Sequence, residues 1–140
     1  MKEGRCPPSV CHCINARRVA GLITELYDDC LAPAGLTVSQ YSLLANLESV
    51  SPASISDLAA RVGLERTTLV RNLKPLMERG LICDLAEAGR RNRRLELSES
   101  GRILLEEARS LWQEAQQEMR ERLGEETVQQ FKTMLKQLQE

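Results

Sequence analysis

The stretch Ile55–Met77 constrains the fold of this 140-residue chain more than any other part of the sequence. Its apolar residues predict one short helix over Ile55–Val62 and a second from Thr67 to about Met77, with Gly63 in the turn between them. Two helices joined by a tight, glycine-containing turn form a helix-turn-helix, whose second helix lies in the major groove when the motif binds DNA. The sequence therefore predicts this motif at the centre of the chain.

The predicted second helix has one apolar and one polar side. At about 100° per residue, an arc of roughly 120° holds five apolar residues, Leu69, Val70, Leu73, Leu76 and Met77. Arg66 falls within the same arc, which makes it a weaker candidate for contacting bases. The opposite side carries the candidate DNA-binding residues Thr67, Thr68, Arg71, Asn72 and Lys74. Their hydroxyl, amide and cationic groups can donate to phosphates or base edges, and the preceding helix and turn favour this interpretation over a merely solvated face.

Pro75 lies inside the second helix and predicts a bend there rather than its end. Leu76 and Met77 continue the apolar side beyond the proline, so we expect the helix to run on to about Arg79. Gly80 is then expected to provide the C-terminal cap.

Two short strands, Leu81–Leu85 and Arg94–Leu97, are predicted directly after this helix. The loop between them is rich in arginine, and the cluster with the following strand comprises Arg90, Arg91, Arg93 and Arg94. Four neighbouring cations without an acid among them repel one another unless an anion is nearby, so we expect phosphate or minor-groove contact from this loop. A solvated charged loop is the alternative. A hairpin in this place would be the wing of a winged helix-turn-helix.

Amphipathic helices are predicted at both ends of the chain, outside a DNA-binding head over residues 36–97. Thr37 begins a capping-box pattern with Gln40 at the start of the head, and Ser98 is expected to cap a helix that runs to about Leu123. The terminal regions 1–34 and 98–140 have apolar stripes that a homodimer would bury. Such a dimer would hold two recognition helices about 34 Å apart on a pseudo-palindromic double-stranded site.

The amino-acid composition and the distribution of charge argue against several classes of function. The net charge is −1, but residues 54–97 carry nine Lys or Arg against six Asp or Glu, so the helix-turn-helix lies in the most positive segment. Aromatic residues make up 3% of the chain, which argues against single-stranded nucleic acid binding by base stacking. The sequence shows no apolar run of about 20 residues, so we expect no membrane association and a cytoplasmic protein. We also expect no enzymatic activity, metal or cofactor, because no nucleophile–base set is recognisable.

Five cysteines are many for a cytoplasmic protein of this length. Cys11 and Cys13 are the candidates for redox sensing, through an oxidised link between subunits, because a disulfide joining these two directly would close a small, strained ring. Cys30 and Cys83 fall in helix and strand patterns and are expected to be core residues. A metal site beside His12 is disfavoured, since adjacent residues cannot all ligate one ion.

Several segments together resemble the MarR family of winged-helix regulators, over about residues 13–138. They are Leu36–Tyr41, Leu58–Leu64, Arg66–Leu73, Glu78–Ile82 and the pair Arg90-Arg91 leading to Leu97–Gly101. The resemblance implies a mainly α, winged helix-turn-helix fold and an obligate dimer that binds operator DNA, usually as a repressor. It further implies major-groove contacts from the second helix and insertion of Arg90 or Arg91 into the minor groove. The family usually has aspartate before this arginine pair, where this chain has Gly89.

Three alternatives stay open for the signal that controls DNA binding. They are thiol oxidation at the cysteines, a small aromatic or phenolic ligand of the kind that the family often uses, held between the first, second and fifth helices, and no direct effector. A protein–protein adaptor that uses the same fold without DNA is the competing function. The arginine-rich wing and the polar recognition face favour DNA binding over the adaptor.

Overall fold

A computed structural model of the chain describes residues 6–86 and 93–140. The predicted wing arginines Arg90 and Arg91 lie outside these ranges. The elements are α1 (His12–Leu31), a 3-10 turn (Ala32–Ala34), α2 (Val38–Val50), α3 (Ile55–Val62), α4 (Arg66–Glu78), β1 (Ile82–Asp84), β2 (Leu95–Leu97), α5 (Glu99–Leu123) and α6 (Glu125–Leu138). The prediction of a mainly α, winged helix-turn-helix fold is therefore confirmed.

The helices of the head begin at hydrogen-bonded caps. The Gln40 backbone N–H donates to the Thr37 hydroxyl (3.2 Å), and the Thr37 N–H donates to the Gln40 side-chain oxygen (3.0 Å), which completes the predicted capping box of α2. Ser54 caps α3 by accepting from the Asp57 N–H at 3.0 Å. Gly63 ends α3 in the left-handed region (φ 73°), the conformation that makes the turn of the helix-turn-helix tight.

α4 continues through Pro75, as predicted, and ends at Glu78 with Arg79 as its C-cap. The Arg79 N–H donates to the Pro75 carbonyl (3.1 Å), and Gly80 follows in the left-handed region (φ 73°). The Leu81 backbone N–H donates to the Leu76 carbonyl at 3.0 Å, and this bond holds the turn that leads from α4 into the hairpin.

The hairpin is short and is attached to the head on one side. β1 and β2 are antiparallel, with Ile82 opposite Leu97 and Asp84 opposite Leu95. Ala53, in the segment between α2 and α3, exchanges two backbone hydrogen bonds with Leu95 (2.9 and 2.8 Å). This bridge fixes the base of the wing to the helix-turn-helix.

Leucine side chains form the core of the head and join it to the terminal helices. The fully buried large side chains are Leu31, Leu44, Leu47, Leu58, Leu69, Leu73, Leu76, Leu95 and Leu105. Each contributes about 1.5–3 kcal/mol when it is removed from water. Leu31 of α1 and Leu105 of α5 belong to this same cluster, so the head and the adjoining ends of the long helices share one core.

Candidate DNA-binding surface

α4 presents one side to solvent beyond the core of the head. Thr67, Arg71 and Lys74 are exposed on this side, whereas Leu69 and Leu73 on the opposite side are buried. The structure thus brings three of the predicted DNA-binding residues together on one open surface. Whether each of them contacts DNA stays a prediction.

The buried side of α4 differs from the helical-wheel prediction. Val70 was expected in the core but is 41% exposed, and Arg66, expected within the same apolar arc, is exposed as well. Thr68 and Asn72, expected on the open side, are half-buried. Asn72 lines a cleft of about 270 Å³ with residues of α2 and α3. The elements that pack on α4 therefore cover it on the Asn72 side, which turns Val70 towards solvent.

Side-chain hydrogen bonds fix the geometry of the helix-turn-helix. The Arg66 guanidinium donates to the Ser56 hydroxyl at 3.2 Å and so joins the first turn of α4 to α3. Arg61 of α3 donates to the side-chain oxygens of Asn46 and Ser49 of α2, both at 3.3 Å. These exposed bonds are individually weak. Together they cross-link the three helices that set the direction of the recognition helix.

Asp84 organises the base of the wing, a role that the sequence analysis missed. Its carboxylate accepts from the backbone N–H groups of Ala86 (2.9 Å) and Arg94 (3.1 Å) and pairs with the Arg93 Nε (3.2 Å). Arg93, predicted to contact DNA, is therefore already ion-paired at the strand end. An acid at the end of one strand opposite an arginine cluster on the next is the signal that could have revealed this contact.

Lys74 remains available to an anion. Its ammonium group lies 4.0 Å from the Glu78 carboxylate, and both side chains are largely exposed. Such a surface pair contributes about 0–1 kcal/mol, so a DNA phosphate can displace it at little cost.

The N-terminal arm holds the predicted redox cysteines on a defined turn. Asn15 in α1 accepts from the Ser9 N–H (2.7 Å) and donates to the Ser9 carbonyl (2.8 Å), while Arg18 donates to the Pro7 carbonyl (2.9 Å). Cys11 is the N-cap of α1, and both Cys11 and Cys13 are exposed.

Cys30 and Cys83 are half-buried rather than full core residues. Burial raises the pKa of the Cys30 thiol, and the nearby carboxylates of Glu118, Glu114 and Asp29 raise it further. A thiol in this setting stays protonated and is a poor nucleophile.

A mostly apolar cavity of about 500 Å³ lies between α1, α5 and α6, with Val38 of α2 at its edge. The Tyr27 hydroxyl donates to the Gln116 side-chain oxygen on its wall, and burial raises the pKa of Tyr27. Arg120 and Lys132 bring positive charge to the lining. A ligand pocket was predicted between the first, second and fifth helices, and residues of α6 also line the observed cavity.

A recognition helix with an open polar side, cross-linked to the preceding helix and followed by a hairpin, defines a winged helix-turn-helix DNA-binding protein. A model of the MarR family matches residues 34–91 of the chain. The chain belongs to the MarR family and is a DNA-binding transcriptional regulator.

Solved structures match nearly the whole chain. The M. tuberculosis transcriptional regulator MosR in complex with DNA is 40% identical, with 91% of this chain and 95% of that chain covered and a TM-score of 0.76. The repressor CouR bound to a 23-mer DNA duplex is 28% identical, with 90% and 91% covered and a TM-score of 0.78. CouR from Rhodococcus jostii RHA1 bound to p-coumaroyl-CoA is 27% identical, with 88% and 87% covered and a TM-score of 0.70.

The candidate recognition surface is thus carried by a fold that binds DNA in similar proteins. In the described part of the chain, no helix is both long enough and apolar enough to cross a membrane.

Proposed function

We propose that this regulator is a homodimeric repressor that binds a pseudo-palindromic operator and is released by a small ligand or by thiol oxidation. The observation that carries the proposal is the uncovered apolar surface of the two terminal regions. Its large exposed side chains, here called the terminal apolar surface, are Val10, Ile14, Val19, Leu22, Ile103, Leu123, Phe131, Met134, Leu135 and Leu138.

α6 shows why this surface needs a partner. None of its 14 residues is buried, and the exposure of Phe131, Met134, Leu135 and Leu138 ranges from 46% to 80%. A helix of this length is marginal alone in water and is stabilised chiefly by packing of its apolar side. A second copy related by a two-fold axis would cover the same residues on both chains. Residues 1–34 and 98–140 would then form the dimerisation region and residues 36–97 the head.

Dimerisation would set the distance between two recognition helices. α5 has 25 residues and so spans about 38 Å at 1.5 Å per residue. That length is comparable with the roughly 34 Å between successive major grooves on one side of a duplex. A dimer built along α5 is therefore large enough to place both copies of α4 on one operator.

We expect the purified chain to have twice the 15.7 kDa monomer mass in light scattering. On DNA upstream of its own gene, it should protect two half-sites about 10–10.5 base pairs apart, centre to centre, or a multiple of this spacing. A monomeric mass, or protection of one isolated half-site, would contradict the dimeric proposal. Repression needs a separate measurement: transcription in vitro from the same promoter should fall when the chain is added, and a rise would contradict the repressor proposal.

The α1–α5–α6 cavity supports release by a ligand. An apolar lining with the Tyr27 hydroxyl and two cations suits an aromatic acid, which needs a hydrophobic slot and a counter-charge, or a phenol, which needs the slot and a hydrogen-bond partner. CouR, a similar protein, binds p-coumaroyl-CoA. A ligand here would contact α1, α5 and α6 at once and so change the spacing of the two heads.

The N-terminal arm supports release by oxidation as the second candidate signal. Peroxide would oxidise the Cys11 or Cys13 thiol to a sulfenic acid, with water as the other product. The sulfenic acid would then condense with a thiol of the other subunit, forming a disulfide and releasing water. Since α1 belongs to the proposed dimerisation region, that link would shift one head relative to the other.

The Cys11→Ser, Cys13→Ser double variant should keep full DNA affinity under reducing conditions and lose any release by peroxide. A Cys30→Ser variant is the matched control, because its thiol is protonated and should not be the one that reacts. Operator binding with and without peroxide measures both. Release of DNA from the double variant by peroxide would exclude these two residues as the sensor.

A further inference from the structure

Val70 is an apolar side chain on the open side of a DNA-binding helix. It is 41% exposed, with Thr67 one turn before it and Lys74 one turn after it. A single exposed valine on a protein surface usually has no special role. This one, however, lies among the polar residues that sequence-specific binding would place against base edges.

We infer that Val70 determines specificity by contacting the methyl group of a thymine in each half-site. Thymine is the one base that presents a methyl group in the major groove, and apolar side chains recognise it by excluding water. This inference rests on the proposed sequence-specific binding and names one of the base contacts through which it acts.

The side chain suits this contact. In a helix, χ1 of valine is held almost entirely in one rotamer, so both of its methyl groups point in a fixed direction. Helical side chains lean towards the helix N-terminus. The Val70 methyl groups therefore cover the surface towards Thr67, and a thymine methyl would lie between these two residues.

The position of Asn72 strengthens the inference. An asparagine on a recognition helix can read adenine through its amide, but Asn72 is half-buried and lines a cleft together with residues of α2. Adenine–thymine pairs under this part of α4 would then be distinguished through the thymine methyl rather than through the adenine edge.

The test removes the methyl group from the DNA. A tight-binding duplex is first selected from a random library with the native chain, and each thymine is then replaced singly by deoxyuridine, which keeps base pairing. We expect one thymine in each half-site whose replacement weakens binding about fourfold, the factor that corresponds to about 0.8 kcal/mol per buried methyl-sized group. Val70→Ala should bind the thymine and deoxyuridine duplexes equally.

Lys74→Ala is the matched control on the same surface. It should weaken binding to both duplexes, since it removes a phosphate contact. The affinity for the thymine duplex should stay about four times that for the deoxyuridine duplex, because no methyl contact is lost. In Val70→Thr a hydroxyl replaces one methyl group, so the ratio of its affinities for the thymine and deoxyuridine duplexes should lie between those of the native chain and Val70→Ala. This variant replaces Val70→Ala in the test if the alanine variant is unstable.

Two results would overturn the inference in different ways. If the native chain selects a specific duplex but no thymine is sensitive, or if Val70→Ala keeps the fourfold ratio, Val70 does not read thymine although the proposed function stands. If no specific duplex can be selected, the proposed sequence-specific function fails and the inference fails with it.

Discussion

Replacing Gly101 with alanine is expected to lower the free energy of unfolding by about 3 kcal/mol, the upper end of the usual range for an overfilled core. Gly101 is buried in the first turn of α5. A Cβ atom there would lie 2.1 Å from the Leu81 carbonyl oxygen and 3.0 Å from its carbon. Both are backbone atoms, so the clash cannot be relieved by rotating a side chain.

The close approach exists because α5 begins directly against the end of the recognition helix. The Ser98 hydroxyl accepts from the Gly101 N–H at 3.0 Å and donates to the Gly80 carbonyl at 2.5 Å. Ser100 donates to the same carbonyl at 3.0 Å, and the Ser98 N–H donates to the Leu81 carbonyl at 3.0 Å. This joint connects α4 to the helix that would carry the dimer. We therefore expect Gly101→Ala to weaken DNA binding as well as stability.

Gly21→Ala is the matched control. Gly21 lies in the exposed middle of α1, and nothing lies within 4 Å of a Cβ atom built there. Alanine should stabilise this helix by about 0.5–1 kcal/mol, because glycine loses more conformational freedom on folding. Urea denaturation of both variants measures the difference. If both variants show similarly small changes in the free energy of unfolding, the start of α5 can move away from Leu81 without cost.

Local patterns in the sequence were enough to predict most of the fold. The capping box at Thr37, the turn at Gly63 and the apolar phase across Pro75 all act within a few residues, and the structure confirms each of them. Such features can be predicted because they depend only on hydrogen bonds between residues close in sequence and on the helical repeat of apolar residues.

The features that the sequence did not reveal depend on contacts between distant segments. A helical wheel orders the residues of α4 but does not say how wide the contact with α2 and α3 is, so Val70 was wrongly assigned to the core. The pairing of Arg93 with Asp84 requires the strands to be in register. The contact of Gly101 with Leu81 requires α5 to start against the hairpin.

Arg71→Ala should produce the largest loss of DNA affinity among single changes on the open side of α4. Arg71 is exposed and makes no hydrogen bond or ion pair with the described part of the chain, so its removal should leave folding unchanged. An arginine that contacts a guanine through two hydrogen bonds contributes about 1–3 kcal/mol of discrimination. In a dimer the loss occurs twice, which corresponds to a weakening of about 30-fold to 2 × 10⁴-fold on a symmetric operator.

Arg71→Lys and Lys74→Ala distinguish base contact from phosphate contact. Lysine keeps the charge but lacks the planar fork, so Arg71→Lys should lose selectivity for one base pair and keep the salt dependence of binding. Lys74→Ala should weaken binding to all sequences alike and reduce the slope of log K against log salt by about two, one unit for each copy of α4.

Titrations at several salt concentrations with the native chain and these variants separate the functions considered for this fold. A steep native slope that falls in Lys74→Ala indicates that the open side of α4 lies against phosphates. If Arg71→Ala and Lys74→Ala both bind a selected duplex as the native chain does, α4 is not the DNA-reading element. If the DNA affinity of the native chain does not change with salt concentration, a protein–protein adaptor is favoured. Binding through phosphate contacts releases counterions and therefore weakens as salt is added.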